Sequence, residues 1–211
     1  MLKLSILTFG YNCVCKMFVK NYLNLYLFNT PFDWNIIHDT SFIQILIDNN
    51  FENFITEDLF PNEEFLKKMG YTNKNHLRLD NKIYNFSFMH EPISEKNNIY
   101  FYDIINIIST YKKRIERFYK SINDSDKIIL LYNEKNVSLQ DKVFIFENNQ
   151  IQINNEKTQK DFDELIVFLK NKYPGKLFEY HIINDKISFD KCEHHILNEI
   201  SLSELINGDK Y

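Results

Sequence analysis

The 211-residue sequence contains no alanine and few glycines, prolines and cysteines, which number four, four and three. The glycines stand alone at positions 10, 70, 175 and 208, so the chain has no Gly-rich loop of the kind that cradles phosphate groups. No stretch approaches 18 uncharged apolar residues, which argues against a membrane span. The opening segment is too short an apolar run for a secretory leader and lacks a small-residue cleavage site, so we expect no leader.

The cysteines are Cys13, Cys15 and Cys192. An odd number of cysteines in a chain of this size is a poor disulfide framework, which favours a reducing compartment. We therefore expect a cytoplasmic protein with free thiols. Nothing in the sequence calls for a cofactor.

The charge balance is slightly acidic, with 25 Lys and Arg against 29 Asp and Glu and a net charge of −4. Binding to duplex nucleic acid needs clustered positive charge, so we expect no nucleic-acid partner. Hydrophobic residues make up 44% of the chain, which argues against disorder. The length suits one domain over 1–211.

Hydrophobic patterning predicts alternating strands and helices. Strands are expected at 2–9, 127–132, 176–183 and 186–189, and helices at about 41–48, 103–121 and 160–172. Hairpins are expected at 76–88, around Asp80-Asn81, and at 142–153, and the tail from His194 to Gly208 is expected to be helical with a break near Ser201. This order predicts a single α/β domain whose partly parallel sheet is flanked by helices, with additional β-hairpins. We expect strand 2–9 to be interior, between 127–132 and 176–183.

The first candidate site is the turn Gly10-Tyr11-Asn12-Cys13. Gly10 allows a sharp turn after the strand, and Asn12 is a plausible N-cap for the helix that follows. A cysteine in the first helical turn has a lowered pKa, and the free N–H groups there can hold an oxyanion. Alternatively, Cys13 is a small buried core residue.

The segment Thr30-Pro31-Phe32-Asp33-Trp34 contains the only tryptophan. Buried between aromatic residues, Asp33 would need hydrogen-bond partners. It could orient a histidine, bind a substrate hydroxyl or cap the next helix. We expect the aromatic side chains of Phe32, Trp34, Phe51 and Phe54 to pack together.

Two further groups of polar residues could contribute to a site. His90 ends a predicted strand next to Glu91, which suits a general base near neutral pH, although a structural histidine fits as well. Arg114 and Arg117 lie about one turn apart on the long helix and could hold a carboxylate or phosphate, or form a solvated face.

A metal site is the third possibility. Cys192, His194 and His195 resemble a metal-binding tract, but their spacing, even with Cys13 and Cys15 added, is not one typical of zinc. We therefore predict no metal ligands.

Several blocks occur together in the order of a known family. They are Phe9-Gly10-Tyr11-Asn12-Cys13, Pro31-Phe32-Asp33-Trp34, Asp48 to Phe54, Phe88-Met89-His90-Glu91, and Tyr111 to Phe118. Over about residues 4–183 the chain resembles the papain-like cysteine peptidase family, a domain family of otherwise unknown function found in bacteria and some large DNA viruses. Phe9 stands where the family has Leu, and Glu91 where it has Asp.

The resemblance implies a cysteine nucleophile, Cys13, paired with His90, and the site chemistry adds an orienting acid, Asp33 or Glu91. Gly10, Asn12, Trp34, Arg114 and Arg117 are the predicted substrate-binding residues. The substrate would be a peptide, acyl or glycan group joined through an amide, ester or thioester bond, and the product could be released to water or transferred. The alternative is a non-catalytic domain that binds a polar or anionic ligand such as a sugar.

Overall fold

The structure is a computed structural model of the chain. It describes residues 1–10, 14–60, 77–91, 93–96, 99–134, 137–140, 143–146, 155–206 and 208–210. These residues form five α-helices: α1 Val14–Asn21, α2 Ser41–Asp48, α3 Ile104–Asp124, α4 Asn155–Lys172 and α5 Lys186–Leu202. The strands are β1 Leu2–Gly10, β2 Leu25–Leu27, β3 Asn35–Ile37, β4 Leu77–Asn81, β5 Phe86–Glu91, β6 Ile93–Lys96, β7 Ile99–Tyr102, β8 Lys127–Asn133, β9 Val137–Gln140, β10 Val143–Phe146, β11 Leu177–Ile183, β12 Ser203–Leu205 and β13 Gly208–Lys210.

A parallel sheet in the order β11-β8-β1-β12 is the centre of the molecule. Its two middle strands, β1 and β8, are almost continuously buried, as expected for strands covered on both faces. Leu7 and Phe9 of β1 pack with α2, α3 and α4, whereas Leu4 and Ile6 pack with α1 and α5. The expected α/β fold, a parallel sheet flanked by helices, is confirmed.

A three-stranded antiparallel sheet, in the order β3-β5-β4, lies next to the end of β1. Strands β3 and β5 pair with Asn35 opposite Phe88 and Ile37 opposite Phe86. The expected hairpin is present as β4 and β5, although its turn lies at 82–85, just beyond Asp80-Asn81. This pairing places the strand that carries His90 alongside the chain that follows Asp33 and Trp34.

Three details of the predicted arrangement are wrong. The 176–183 strand, β11, pairs with β8 and lies at the edge of the sheet, so it does not flank β1. The second neighbour of β1 is β12, which occupies part of the tail that we expected to be helical. The strand expected at 186–189 is the first turn of α5, because a capping box between Asp185 and Ser188 starts a helix there.

The hairpin expected at 142–153 is described only in its first strand, β10, and stays a prediction. Strand β10 pairs with β9, which precedes it, and the expected partner at 150–153 lies outside the described residues. None of the described helices is both long and apolar enough to cross a membrane.

Candidate functional site

Asp33 is the buried centre of the Pro31-Phe32-Asp33-Trp34 segment, and it is only 2% exposed. One carboxylate oxygen accepts a short hydrogen bond from the Thr8 hydroxyl of β1. The other accepts from the Thr30 backbone N–H at 2.6 Å and from the Lys16 ammonium of α1 at 3.2 Å. Asp33 therefore joins its own loop to β1 and to α1, the elements on either side of Cys13.

Lys16 is the charged partner of Asp33 and is itself 8% exposed. Its ammonium also donates to the Phe28 carbonyl oxygen at 2.9 Å. Burial lowers the pKa of Lys16, and Asp33 opposes that effect, while the nearby charges of Arg114 and Arg117 lower the pKa further. Of these three cationic side chains, Lys16 is the one that the structure shows in contact with the Asp33 carboxylate.

Arg114 and Arg117 reach this region because α3 is attached to the start of β3. The Tyr111 hydroxyl lies 3.1 Å from the side-chain nitrogen of Asn35, and Tyr111 is fully buried. One turn later, the Arg114 guanidinium lies over the Tyr111 ring, 4.6 Å from its centre. The buried Nη1 of Arg114 has no hydrogen-bond partner among the described residues.

Of the aromatic packing expected around Asp33, the structure shows the contacts among Phe32, Phe51 and Phe54. Ring centres are 5.5 Å apart for Phe32 and Phe51, and 5.4 Å apart for Phe51 and Phe54. Trp34 is half-buried with a left-handed backbone (φ 68°), and its indole N–H donates to the Asn29 side chain at 3.2 Å.

The structure describes only part of the predicted catalytic residues, and the predicted nucleophile is not among them. Asn12 and Cys13 lie outside the described residues, between Gly10, which ends β1, and Val14, which begins α1. His90 and Glu91 are the last two residues of β5, and only their backbone is described. Phe88 of β5 lies opposite Asn35 of β3, so His90 follows and Asp33 precedes this pair at the same end of the two strands.

The other two cysteines are free and buried. Burial raises the pKa of the Cys15 thiol, and it raises the pKa of Cys192 to about 12, with added contributions from Glu179 and Glu193. Both side chains belong to the apolar layer between the sheet and helices α1 and α5. Cys192 is therefore a core residue, and the metal tract that we considered, Cys192 with His194 and His195, does not form.

His195 instead contacts two residues of β11. Its Nε2 atom lies 2.7 Å from Glu179 Oε1, and the Nε2 atom of His181 lies 3.8 Å from the same oxygen. Lys127, at the start of β8, binds the other Glu179 oxygen at 3.0 Å. Burial alone would raise the pKa of Glu179, but its contacts with His181, His195 and Lys127 lower it to about 2.

The sequence analysis missed Glu179 and His181, although a signal was present. They alternate with Phe178, Tyr180 and Ile182 along a strand, so one face of that strand is polar where a covered strand is usually apolar.

A second missed residue is Glu134, which follows β8 and is 2% exposed. Both of its carboxylate oxygens are buried. Burial raises its pKa, although Asn184 and Thr158 act in the opposite direction. Glu134, His181 and Asn184 are among the residues that line a cavity of about 350 Å³.

The chain matches no known protein-family model, no curated protein and no solved structure. The resemblance to the papain-like cysteine peptidase family thus depends on the ordered sequence motifs.

Proposed function

We propose that the protein is a cysteine-nucleophile hydrolase or acyltransferase whose site lies at the end of β1. Cys13 attacks the carbonyl carbon of an amide, ester or thioester and forms a thioester to the chain, while the leaving group departs with a proton. His90 accepts the thiol proton and returns it to that leaving group. Water, or an acceptor hydroxyl or amine, then releases the acyl group.

The observation that carries this proposal is the position of Asp33. Thr8 and Lys16 lie on either side of Cys13 in the sequence, and both contact the Asp33 carboxylate. The Pro31-Phe32-Asp33-Trp34 segment is thereby fixed beside the chain that contains Cys13. Two motifs of the resemblance meet at one place.

The place of Cys13 in the sequence, between β1 and α1, supports the same chemistry. Strand β1 is interior and ends at Gly10, and α1 begins directly after Cys13. Open α/β sheets bind substrates where their parallel strands end, and the N–H groups at a helix start favour a thiolate and an oxyanion.

The register of β5 favours His90 as the base. Phe88 is opposite Asn35 in this antiparallel pair, so His90 and Asp33 both lie beyond the same end of it, two residues from the last paired position. Asp33 already accepts hydrogen bonds from Thr8, Thr30 and Lys16, which leaves about one of the roughly four acceptor positions of a carboxylate for an imidazole. Glu91 remains the alternative acid.

The charges near Asp33 favour a substrate with an anionic group. Lys16 pairs with Asp33, and Arg114 and Arg117 add two positive charges close enough to lower the pKa of Lys16. Arginine forms bidentate contacts with carboxylates and phosphates, and Arg114 has a buried N–H group without a partner in the described structure.

The same observation favours the second candidate function, a domain that binds a polar or anionic ligand without catalysis. In that case the Arg114 guanidinium would bind the ligand, and Cys13 would have the reactivity of an ordinary thiol. A reducing, cytoplasmic setting suits both functions, because Cys15 and Cys192 are free thiols.

Alkylation by iodoacetamide as a function of pH separates the two functions. For a nucleophile, the rate at Cys13 should rise with a midpoint well below the value of about 8.5 for a free thiol. Replacing His90 by Gln should move that midpoint upward. Cys13→Ser should abolish both the labelling and the hydrolysis of an activated ester such as p-nitrophenyl acetate, whereas Cys15→Ala, the control, should keep both.

A midpoint at the free-thiol value, unchanged by His90→Gln, would contradict the enzyme. The binding domain would then be tested by phosphate or acetate titration, with Arg114→Gln expected to weaken the affinity.

A further inference from the structure

The outer strand of the parallel sheet and the helix that covers it bring together two histidines and a glutamate. Glu179 and His181 are two residues apart on β11, so their side chains leave the same face of the strand. They are in register with Ile129 and Leu131 of β8, which belong to the apolar layer under α1 and α5. Glu179 and His181 are therefore polar residues at the edge of this layer, whereas the residues next to them in β8 are apolar.

Helix α5 supplies the third side chain. Cys192 and Ile196 of α5 are buried against the sheet, and His195 lies between them in the sequence, at the margin of that face. The His195 ring centre is 4.9 Å from that of His181. The candidate ligand atoms of Glu179, His181 and His195 all lie within 4.8 Å of one another.

We propose that Glu179, His181 and His195 form a binding site for a divalent transition-metal ion, with Zn²⁺ as the best match. Two imidazole nitrogens and one carboxylate oxygen are a donor set that zinc accepts, at about 2.0–2.2 Å from each atom. Tetrahedral ligands at that distance are about 3.3 Å apart. The contacts of 2.7 and 3.8 Å from Glu179 Oε1 lie on either side of that spacing, so small side-chain rotations suffice.

The surroundings of the carboxylate orient it as a metal ligand. Lys127 holds Glu179 Oε2 at 3.0 Å and Glu199 Oε1 at 2.9 Å, which leaves Glu179 Oε1 directed toward the two histidines. Outer contacts of this kind fix the orientation of metal ligands in known sites. The pair of Lys127 and Glu199 adds no net charge, so the Glu179 carboxylate remains to balance the cation.

One ligand atom is already in place without a competing partner. The Nε2 atom of His181 is buried and has no hydrogen-bond partner among the described residues. A neutral imidazole whose proton is on Nδ1 would leave this lone pair available to a cation. Such buried, unsatisfied atoms are uncommon and call for an explanation, and a bound ion supplies one.

The site has a route of entry and space for a fourth ligand. The side chains of Glu179, His181 and His195 are 30, 27 and 38% exposed, and His181 also lines the cavity of about 350 Å³. Three protein ligands with one position left for water are typical of zinc sites that can act on a substrate. Because this site uses no residue of the proposed Cys13 site, neither proposal depends on the other.

Zinc titration of the full-length, EDTA-treated protein tests the proposal. We expect one Zn²⁺ per chain, and at least about 100-fold weaker binding in His181→Ala and His195→Ala, since even outer-shell changes cost 10–100-fold. Glu179→Gln, which keeps the size of the side chain, should also weaken binding. The matched control is His194→Ala: His194 is the exposed neighbour of His195, and its Nε2 atom lies 3.3 Å from the Asn198 amide nitrogen. It should bind as wild type does.

Cobalt substitution identifies the ligands without relying on the stability of the variants. We expect the spectrum of a four- or five-coordinate Co²⁺ ion with nitrogen and oxygen ligands. A thiolate-to-cobalt charge-transfer band would overturn the proposal, because it would assign the metal to a cysteine. Failure of the wild-type protein to take up zinc, or equal losses in His194→Ala and His195→Ala, would overturn it as well.

Discussion

Lys16 and Asp33 are two opposite charges within the core, and their pairing has an energetic cost and a structural benefit. Both side chains are nearly inaccessible, so water does not compensate for separating them. A buried ion pair adds little net stability, but removing one partner leaves the other charge uncompensated. Any movement that separates the pair leaves a buried charge uncompensated, so the pair holds the Asp33 loop against α1.

We predict that Lys16→Met destabilises the protein by about 3–5 kcal/mol, the usual cost of breaking a buried ion pair. The double variant Lys16→Met with Asp33→Asn should recover a large part of that loss, because it leaves no buried charge. Urea unfolding monitored by circular dichroism measures both. A loss below about 1 kcal/mol in the single variant, the range of exposed pairs, would mean that water reaches Asp33.

The buried carboxyl group of Glu134 makes the stability of the folded protein depend on pH. Because burial raises its pKa, the folded protein retains the Glu134 proton at pH values where the unfolded chain has lost it. Between the unfolded pKa of about 4.3 and the higher folded pKa, stability therefore falls as the pH rises, and the penalty is complete above that window.

We predict that Glu134→Gln is more stable than wild type at pH 8, by about 1 kcal/mol, because a neutral amide costs less to bury than a carboxylate. The difference should be small at pH 4, where Glu134 is mostly protonated in both states. Unfolding free energies of both proteins across this pH range provide the measurement. An advantage that is equal at pH 4 and pH 8 would show that charge is not its cause.

At the scale of elements, residue patterns predicted the strands that are buried on both faces and failed where two signals competed. Residues 2–9 and 127–132 are continuous apolar runs, so their assignment was straightforward. In Lys186-Ile187-Ser188-Phe189 the apolar alternation is typical of a strand, but Asp185 caps a helix at the same place. The cap prevailed because α5 buries Phe189, Cys192, Ile196 and Ile200 along one face.

The capping box of α5 can be tested directly. The Asp185 side chain accepts from the Ser188 backbone N–H at 2.6 Å, and the Ser188 hydroxyl accepts from the Asp185 N–H at 3.1 Å. We predict that Asp185→Ala lowers the unfolding free energy by about 1 kcal/mol.

The matched control for this prediction is Asp190→Ala on the same helix, which removes only the exposed pair with Lys186. It should cost about 0.5 kcal/mol or less. Equal losses in the two variants would contradict a special role of the cap.

At the scale of the whole molecule, the sequence drew attention to Asp33 and His195 but did not predict which side chains they contact. Asp33 was identified from its scarce neighbours, but its partners Thr8 and Lys16 lie in other elements, and no local pattern links them. The same limit applies to His195, which was grouped with its sequence neighbours Cys192 and His194. Side chains on successive helical positions point in different directions, so the true partners of His195 came from β11.

The order of the parallel sheet predicts how stability is distributed over the molecule. Strands β1 and β8 are central and covered on both faces, whereas β12 has three residues and lies at an edge. Central amides exchange only when the whole domain opens, while short edge strands open locally. In native-state hydrogen exchange, we therefore expect the slowest amides at the middle of β1 and β8, with β12 amides exchanging at least tenfold faster.

The amides of β11 provide the internal comparison for this experiment. This strand is at the opposite edge of the sheet but is seven residues long and is packed against both α4 and α5. It should exchange at intermediate rates. If β12 were as protected as β1, the tail would have to be part of the cooperative core, and removal of residues 203–211 should then unfold the protein. If the tail is a peripheral addition, as the sheet order indicates, that truncation should leave β1 and β8 protected.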